Sequence, residues 1–453
     1  MNTLFGMSHS ATLLVWTLIA IAFLIVFISK FKWNPFVTLL LASILLGLLT
    51  GMKSTDVVTS ITKGLGGTLG TIAIVIGLGT MLGKMMAESG GAERIATTLI
   101  DLFGDRKVHW AMLLVGVLVG IPVFFEVGVI LLIPIVFVVV AKTKKPLLQV
   151  GISVLAGLSV VHGLVPPHPA PMIAIDAYGA NLGQTIVYSL LIGIPVAIVA
   201  GPLFGKYIGK RIDVHPDPKL VEQFASKNER KLPGFGITLL TILMPVILML
   251  IGSIASIIDP DAKYGFTVFC EFIGHEVVAL LISVVFSFFS LGFARGFSKD
   301  EVSKFASDSL APIAGIVLII GGGGSFKQVL IDSGVGQAIA DMATNANINV
   351  ILFAWLVAAL IRVATGSATV AMTTSAGIVA PVLAMTPGAN LELVVLATGA
   401  GSLILSHVND AGFWMVKEFF NMSVPQTLKS WTVMETILSV LGLVLILAVS
   451  MFV

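Results

Sequence analysis

Apolar runs about as long as a bilayer is thick recur along almost the whole chain, at 11–29, 34–52, 68–86, 185–205, 235–258, 273–294, 309–330 and 431–452. A helix needs about 20 apolar residues to cross the hydrocarbon core. In lipid, each backbone N–H and C=O must also find its partner inside the protein. These runs commit the chain to an all-α polytopic membrane protein. Charge content agrees, since 57% of residues are hydrophobic and only 11% charged, against about 25% charged in a soluble domain. So little charge cannot clothe a water-facing surface, and most of the outside must face lipid. A net charge of +2 argues against a nucleic-acid partner. The single cysteine, Cys270, excludes an internal disulfide and any cysteine-based metal cluster. The run 11–29 is a full span with no Lys or Arg before it, so it reads as a first span and not as a cleaved signal.

Other runs are interrupted: 108–141, 147–165, 349–385 and 391–408. One long polar stretch divides the chain into a first membrane repeat, 1–205, a cytoplasmic polar linker, 206–234, and a second membrane repeat, 235–453. The halves share sequence. SGGAERIA at 89–96 answers SGVGQAIA at 333–340, an offset of 333 − 89 = 244, and the same offset carries Gly77 and Gly79 onto Gly321 and Gly323. His162 and His407 stand at almost that spacing, 407 − 162 = 245.

Cytoplasmic loops hold Lys and Arg preferentially. Lys30 and Lys32 therefore place the end of the first span inside and the N-terminus outside, in the periplasm. Arg94, Arg106, Lys107, the KTKK run at 142–145, Lys206, Lys210 and Arg211 all fall inside on the same count. The second half starts inside, and its matching loops, 331–348 and 386–392, contain no Lys or Arg. The expectation is two inverted-topology repeats, each with a re-entrant hairpin and a broken helix, as in secondary transporters. Segment 108–141 would enter and leave from inside, turning near Pro122–Gly128. Segment 349–385 would do so from outside, turning near Arg362–Thr369. Irregular backbone at membrane depth survives only against protein or a water-filled cavity, so the tips would frame a site near the midplane.

The first hairpin, GIPVFFEVGVILLIPI (120–135), places Glu126 and Gly128 among strongly apolar residues. An acid there must be paired or protonated. It either pins the hairpin or works in transport, and intramembrane acids work more often than not. The second, RVATGSATVAMTTSAGI (362–378), is dense in hydroxyls, with Thr365, Ser367 and Thr369 beside Gly366. Such a stretch suits a polyhydroxylated ligand, although small residues also serve tight helix packing. Arg362 is the only Lys or Arg between Lys327 and Lys417. Its fork of donors suits a carboxylate, and its other reading is an ion pair with an intramembrane acid.

Two breaks follow at matching places. VVHGLVPPHPAPMIAID (160–176) holds four prolines with His162, Pro167 and His168, and LSHVNDAGF (405–413) holds His407, Asn409 and Asp410. Half-helix N-termini formed there would offer positive dipole ends to an anion. The histidines are equally at home as satisfied polar groups at helix ends, and they lack the further ligands of a metal site. HEVVA (275–279) lacks the second histidine of HExxH, and GGGG (321–324) lacks the GK[ST] of a P-loop.

At these residues the chain resembles the gluconate permeases, over essentially its whole length. SGGAERIATTLID, GIPVFFEVGVILLIPI and HGLVPPHPAP carry the likeness. The resemblance implies proton-coupled uptake of gluconate or a related sugar acid at the bacterial inner membrane, and a homodimer with an elevator-type motion. It implies no cofactor. Glu126, Asp410 and His407 are the candidate proton groups. Arg362, Thr365, Gly366, Ser367, Thr369, Gly128, His162, Pro167, His168 and Asn409 are the candidate substrate contacts. A sodium-coupled (di)carboxylate symporter is the nearest rival. An intramembrane enzyme would need a nucleophile or metal constellation that the sequence does not offer, and a passive channel would not need paired broken helices.

Overall fold

The computed structural model describes residues 7–216, 231–259, 263–335, 338 and 349–453, and these are mainly helical with no strand among them. Nine helical runs among the described residues are long and apolar enough to cross a membrane. The chain opens with α1 (His9–Ser29), capped by Ser8, and α2 (Pro35–Leu49), capped by Asn34. Next come α3 (Ser54–Glu88), α4 (Gly91–Gly120), α5 (Phe125–Thr143), α6 (Leu147–Leu164), α7 (Pro169–Tyr178) and α8 (Leu182–Ile198). Beyond the linker lie α9 (Phe235–Ile258), α10 (Gly265–Gly274), α11 (Glu276–Ser287), α12 (Lys299–Asp308) and α13 (Ala314–Asp332). The last group is α14 (Val350–Thr365), α15 (Ala368–Ala384), α16 (Leu391–Leu403), α17 (Ala411–Phe419) and α18 (Val433–Val449).

Every long apolar run expected from the sequence is helical. Run 68–86 is part of the 35-residue α3, and run 273–294 is divided where α10 stops at Gly274 and α11 starts at Glu276. Segments 217–230 of the linker, 336, 337 and 339–340 of the repeat counterpart and the loop 341–348 lie outside the described residues.

Both interrupted segments form packed helix pairs, α4 with α5 and α14 with α15. The first pair turns at 121–124, where Pro122 can supply no N–H to extend α4. That turn is shorter than the expected Pro122–Gly128, because α5 already begins at Phe125. Glu126 and Gly128 therefore sit in its first turn and not in the loop. The second pair turns over two residues. Gly366, at φ +75°, donates its N–H to the carbonyl of Arg362 and closes α14, and Ser367 accepts from the N–H of Val370 to open α15. Left-handed backbone at a helix end is the place where glycine carries no Cβ penalty.

The two broken helices are the most enclosed. All of α6 is buried except His162, and all of α16 except Leu391. A helix apolar all round belongs in the centre of a bundle. The two cross at a backbone-to-backbone approach, where a Cβ built on Gly399 would stand 2.2 Å from the carbonyl oxygen of Gly163. Outer helices show the reverse. Leu18 on α1 is 66% exposed, and Phe266, Phe269 and Phe272 on α10 are between 56% and 75% exposed, an apolar surface unsuited to water.

Overpacking a tight contact costs about 1–3 kcal/mol, so Gly399→Ala is expected to lower the melting temperature of the detergent-purified protein clearly. Gly66→Ala meets nothing within 4 Å on its helix face and should leave that temperature unchanged or raised. Equal behaviour of the two variants would contradict the crossing.

Candidate transport site

A cavity of about 260 Å³ lies where the two helix-pair turns meet the break before α17. Three helix N-termini open onto it: Phe125 and Glu126 of α5, Ser367 to Thr369 at the start of α15, and Ala411 and Gly412 of α17. Each brings backbone N–H groups without an intrahelical partner and a partial positive charge, which together favour an anion.

Arg362 is the cavity's cation. It sits in the last turn of α14, 4% exposed, with Nη2 bonded to Asp410 Oδ2 at 2.5 Å. Its Nε and Nη1 are buried without a hydrogen-bond partner among the described residues. Asp410 works in two directions at once. Oδ1 accepts from the N–H of Gly412 at 2.9 Å and caps α17, while Oδ2 accepts from both Arg362 and Ser406 Oγ. Ser406 in turn accepts from Trp431 Nε1 at 2.6 Å, and Trp431 lies against Phe125 with ring centroids 5.4 Å apart. The ion pair, the cap and the aromatic pair thus form one connected wall.

The break at 404–410 is tied to the end of α14. His407 Nε2 and Asn409 Nδ2 each lie 3.0 Å from the carbonyl oxygen of Val363, one of the last carbonyls of that helix and without an intrahelical partner. One turn beyond Trp431, Glu435 of α18 is 2% exposed and accepts a hydrogen bond from Ser159 Oγ of α6. His162, one turn beyond Ser159, also lines the cavity, and its Nδ1 is 3.4 Å from Nε2 of the buried His168.

The structure brings Arg362, Thr365, Gly366, Ser367, Thr369, His162, Asn409, Glu126 and Asp410 onto this one cavity. It sets four sequence-derived candidates apart from the lining. Gly128 faces Leu158, where a Cβ would stand 2.7 Å from Cδ2, so its smallness serves helix packing. Pro167 and His168 turn to the far side of their break, against Pro122 to Phe124 and α3, in a separate pocket of about 20 Å³. His407 is engaged with Val363 as described. Sequence reasoning missed Phe125, Ser159, Trp431 and Glu435. Of these only Glu435 had a signal, as an acid inside the apolar run 431–452.

A bundle of membrane-spanning helices, broken around a polar cavity that holds buried charges, defines a membrane transporter. The sequence profile of the GntP family permeases matches residues 12–452, and the chain belongs to that family. It is 54% identical to a gluconate permease of Pseudomonas aeruginosa over 449 residues, covering 99% of this chain and 100% of that protein. It is 46% identical to a high-affinity gluconate transporter of Escherichia coli, covering 95% of this chain and 98% of that protein. Among solved structures, the YdaH transporter of Alcanivorax borkumensis has a similar fold. Its TM-score is 0.67 at 17% identity, covering 93% of this chain and 99% of that one.

Removing one partner of a buried ion pair costs about 3–5 kcal/mol, because the other charge is left uncompensated. Asp410→Asn and Arg362→Met should therefore each lower the melting temperature in detergent, and the double variant should be more stable than at least one single. Strictly additive losses would show that the pair is energetically uncoupled.

Proposed function

We propose that this permease imports gluconate, or a closely related sugar acid, by proton symport across the bacterial inner membrane. In this reading it works as a homodimer with an elevator-type motion. Its inverted repeats, 1–205 and 235–453, offer their hairpins from opposite faces, with the N-terminus periplasmic and the linker 206–234 cytoplasmic. The names of its relatives supply the substrate class, and the cavity's chemistry supports it. The two unpartnered guanidinium nitrogens and three helix N-termini suit one carboxylate. Thr365, Ser367 and Thr369 suit the hydroxyls of a polyol chain, and the Phe125–Trp431 wall suits its C–H face.

The observation that carries the coupling is the charge count. The cavity's lining holds one guanidinium against three carboxylates, Glu126, Asp410 and Glu435. Fully ionised, the set sums to 1 − 3 = −2 and repels an anion. Protons taken up by the acids remove that repulsion, so proton and anion binding reinforce each other reciprocally. The membrane potential gives the same direction. An anion entering an inside-negative cell is opposed by about 2.3 kcal/mol per 100 mV, and one accompanying proton cancels that term.

The test is uptake of labelled gluconate by purified protein in proteoliposomes. An inward proton gradient should drive accumulation, a protonophore should abolish it, and a sodium gradient should leave it unchanged. Accumulation that follows sodium and ignores pH would replace this reading with sodium symport. Arg362→Lys keeps the charge and loses the fork, and is expected to weaken gluconate binding about tenfold or more. Normal affinity in that variant would make Arg362 a structural partner of Asp410 alone.

A further inference from the structure

The three acids of the cavity are held in different ways. Asp410 is bonded to a guanidinium and caps a helix, so its charge is answered twice. Glu126 stands in the first turn of α5, where the helix end favours negative charge, and its side chain is exposed. Glu435 has neither support. It is 2% exposed, and its hydrogen bond comes from a neutral hydroxyl, Ser159. Although α18 is numbered from Val433, the π turn Leu428–Thr432 and the turn Val424–Thr427 run straight into it, so no free helix N-terminus faces the carboxylate.

The groups that face Glu435 are few. Ser159 and His162 come from α6, Arg362 from α14, Asp410 from the break before α17, and Glu126 from across the cavity. Packed against the same helix, α8 carries no charged residue and one titratable group, Tyr188. On α16 the only charge is Glu392, at the end away from the cavity and bonded to the N–H of Asn181. Lys429 in the π turn is exposed. Arg362, the only cation within the lining, is already bonded to Asp410. A carboxylate placed so has no cation or helix end of its own to answer its charge, and an unpaired buried charge is costly.

We infer that Glu435 carries the coupled proton and that Ser159 holds it in both protonation states. Ser159 Oγ–H donates to the carboxylate when Glu435 is ionised, and the same oxygen accepts from the acid O–H when it is protonated. A hydroxyl turns to suit either role. The step is a single association, carboxylate plus H⁺ giving the carboxylic acid, reversed by release to water on the other side. It lowers the cavity's negative charge by one and leaves the Arg362–Asp410 pair intact. The inference rests on the proton-symport reading, and the experiment separates the two.

Proteoliposomes carrying wild-type protein, Glu435→Gln, Glu435→Asp or Ser159→Ala are compared for gluconate exchange at equal pH and for accumulation under an imposed pH gradient. The expected result for Glu435→Gln, fixed in the neutral form, is retained exchange with accumulation reduced about tenfold or more. If wild type accumulates with the pH gradient and Glu435→Gln does so with the same pH dependence, Glu435 is excluded while symport stands, leaving Glu126 and His162 as carriers. If wild type ignores the pH gradient, symport itself falls, and this inference with it. Should Glu435→Gln fail to fold, the pH profile of exchange in Ser159→Ala and Glu435→Asp decides. Both profiles should be displaced by about half a pH unit or more, and profiles that coincide with wild type would overturn the assignment.

Discussion

The pairing of Arg362 with Asp410 is the contact on which the cavity depends. A guanidinium within the membrane cannot rely on water, so the end of α14 and the start of α17 are held where their charges meet. The pair then imposes order around itself. Asp410 must point at Arg362, so it presents its other oxygen to the first turn of α17. Ser406 must approach the same carboxylate, and it brings Trp431 and the head of α18 with it. Two elements 48 residues apart in sequence thereby become one wall.

Much of this architecture is legible in the sequence because the bilayer leaves so few solutions. Spans must be apolar and long, so they announce themselves. Breaks need residues that stop helices, and Pro122, the prolines at 166–171 and Gly366 mark the places where helices do stop. Lone charges in apolar surroundings, Arg362, Glu126 and Asp410, are conspicuous for the same reason. What spacing cannot give is direction. Pro167 and His168 share a break with His162, yet the four residues of unwound chain carry them into a separate pocket, even though the rings of His162 and His168 touch. Gly128 follows Glu126 by two positions, and on a helix two positions is a different face. Partnership is equally hidden, since nothing local to Arg362 names Asp410, and nothing local to Glu435 names Ser159. Glu435 was overshadowed by an otherwise complete apolar span, where one acid looks like a tolerated exception.

The acids illustrate how position sets chemistry among identical side chains. A carboxylate bonded to arginine, one at a helix N-terminus facing the cavity, and one buried beside a serine meet three electrostatic environments within a single cavity. The proposed symport needs such inequality. If every acid held its charge equally well, the cavity would repel an anion at all times, and if every acid were neutral none could take up a proton.

The anchoring of His407 and Asn409 to the carbonyl of Val363 has a mechanical consequence. The two-residue turn at Gly366–Ser367 has the outward form of a flap, free to lift from the cavity. It is stapled at its root to the unwound segment that starts the next half-helix, and the ion pair adds a second staple one residue away. The turn therefore cannot swing alone. Lifting it would strand a buried carbonyl and a buried charge together, so the least costly displacement moves α14, its turn and the neighbouring break as a single block. That block takes α18 with it, because Trp355 Nε1 of α14 donates to Ser439 Oγ and Trp431 Nε1 donates to Ser406 Oγ in the break.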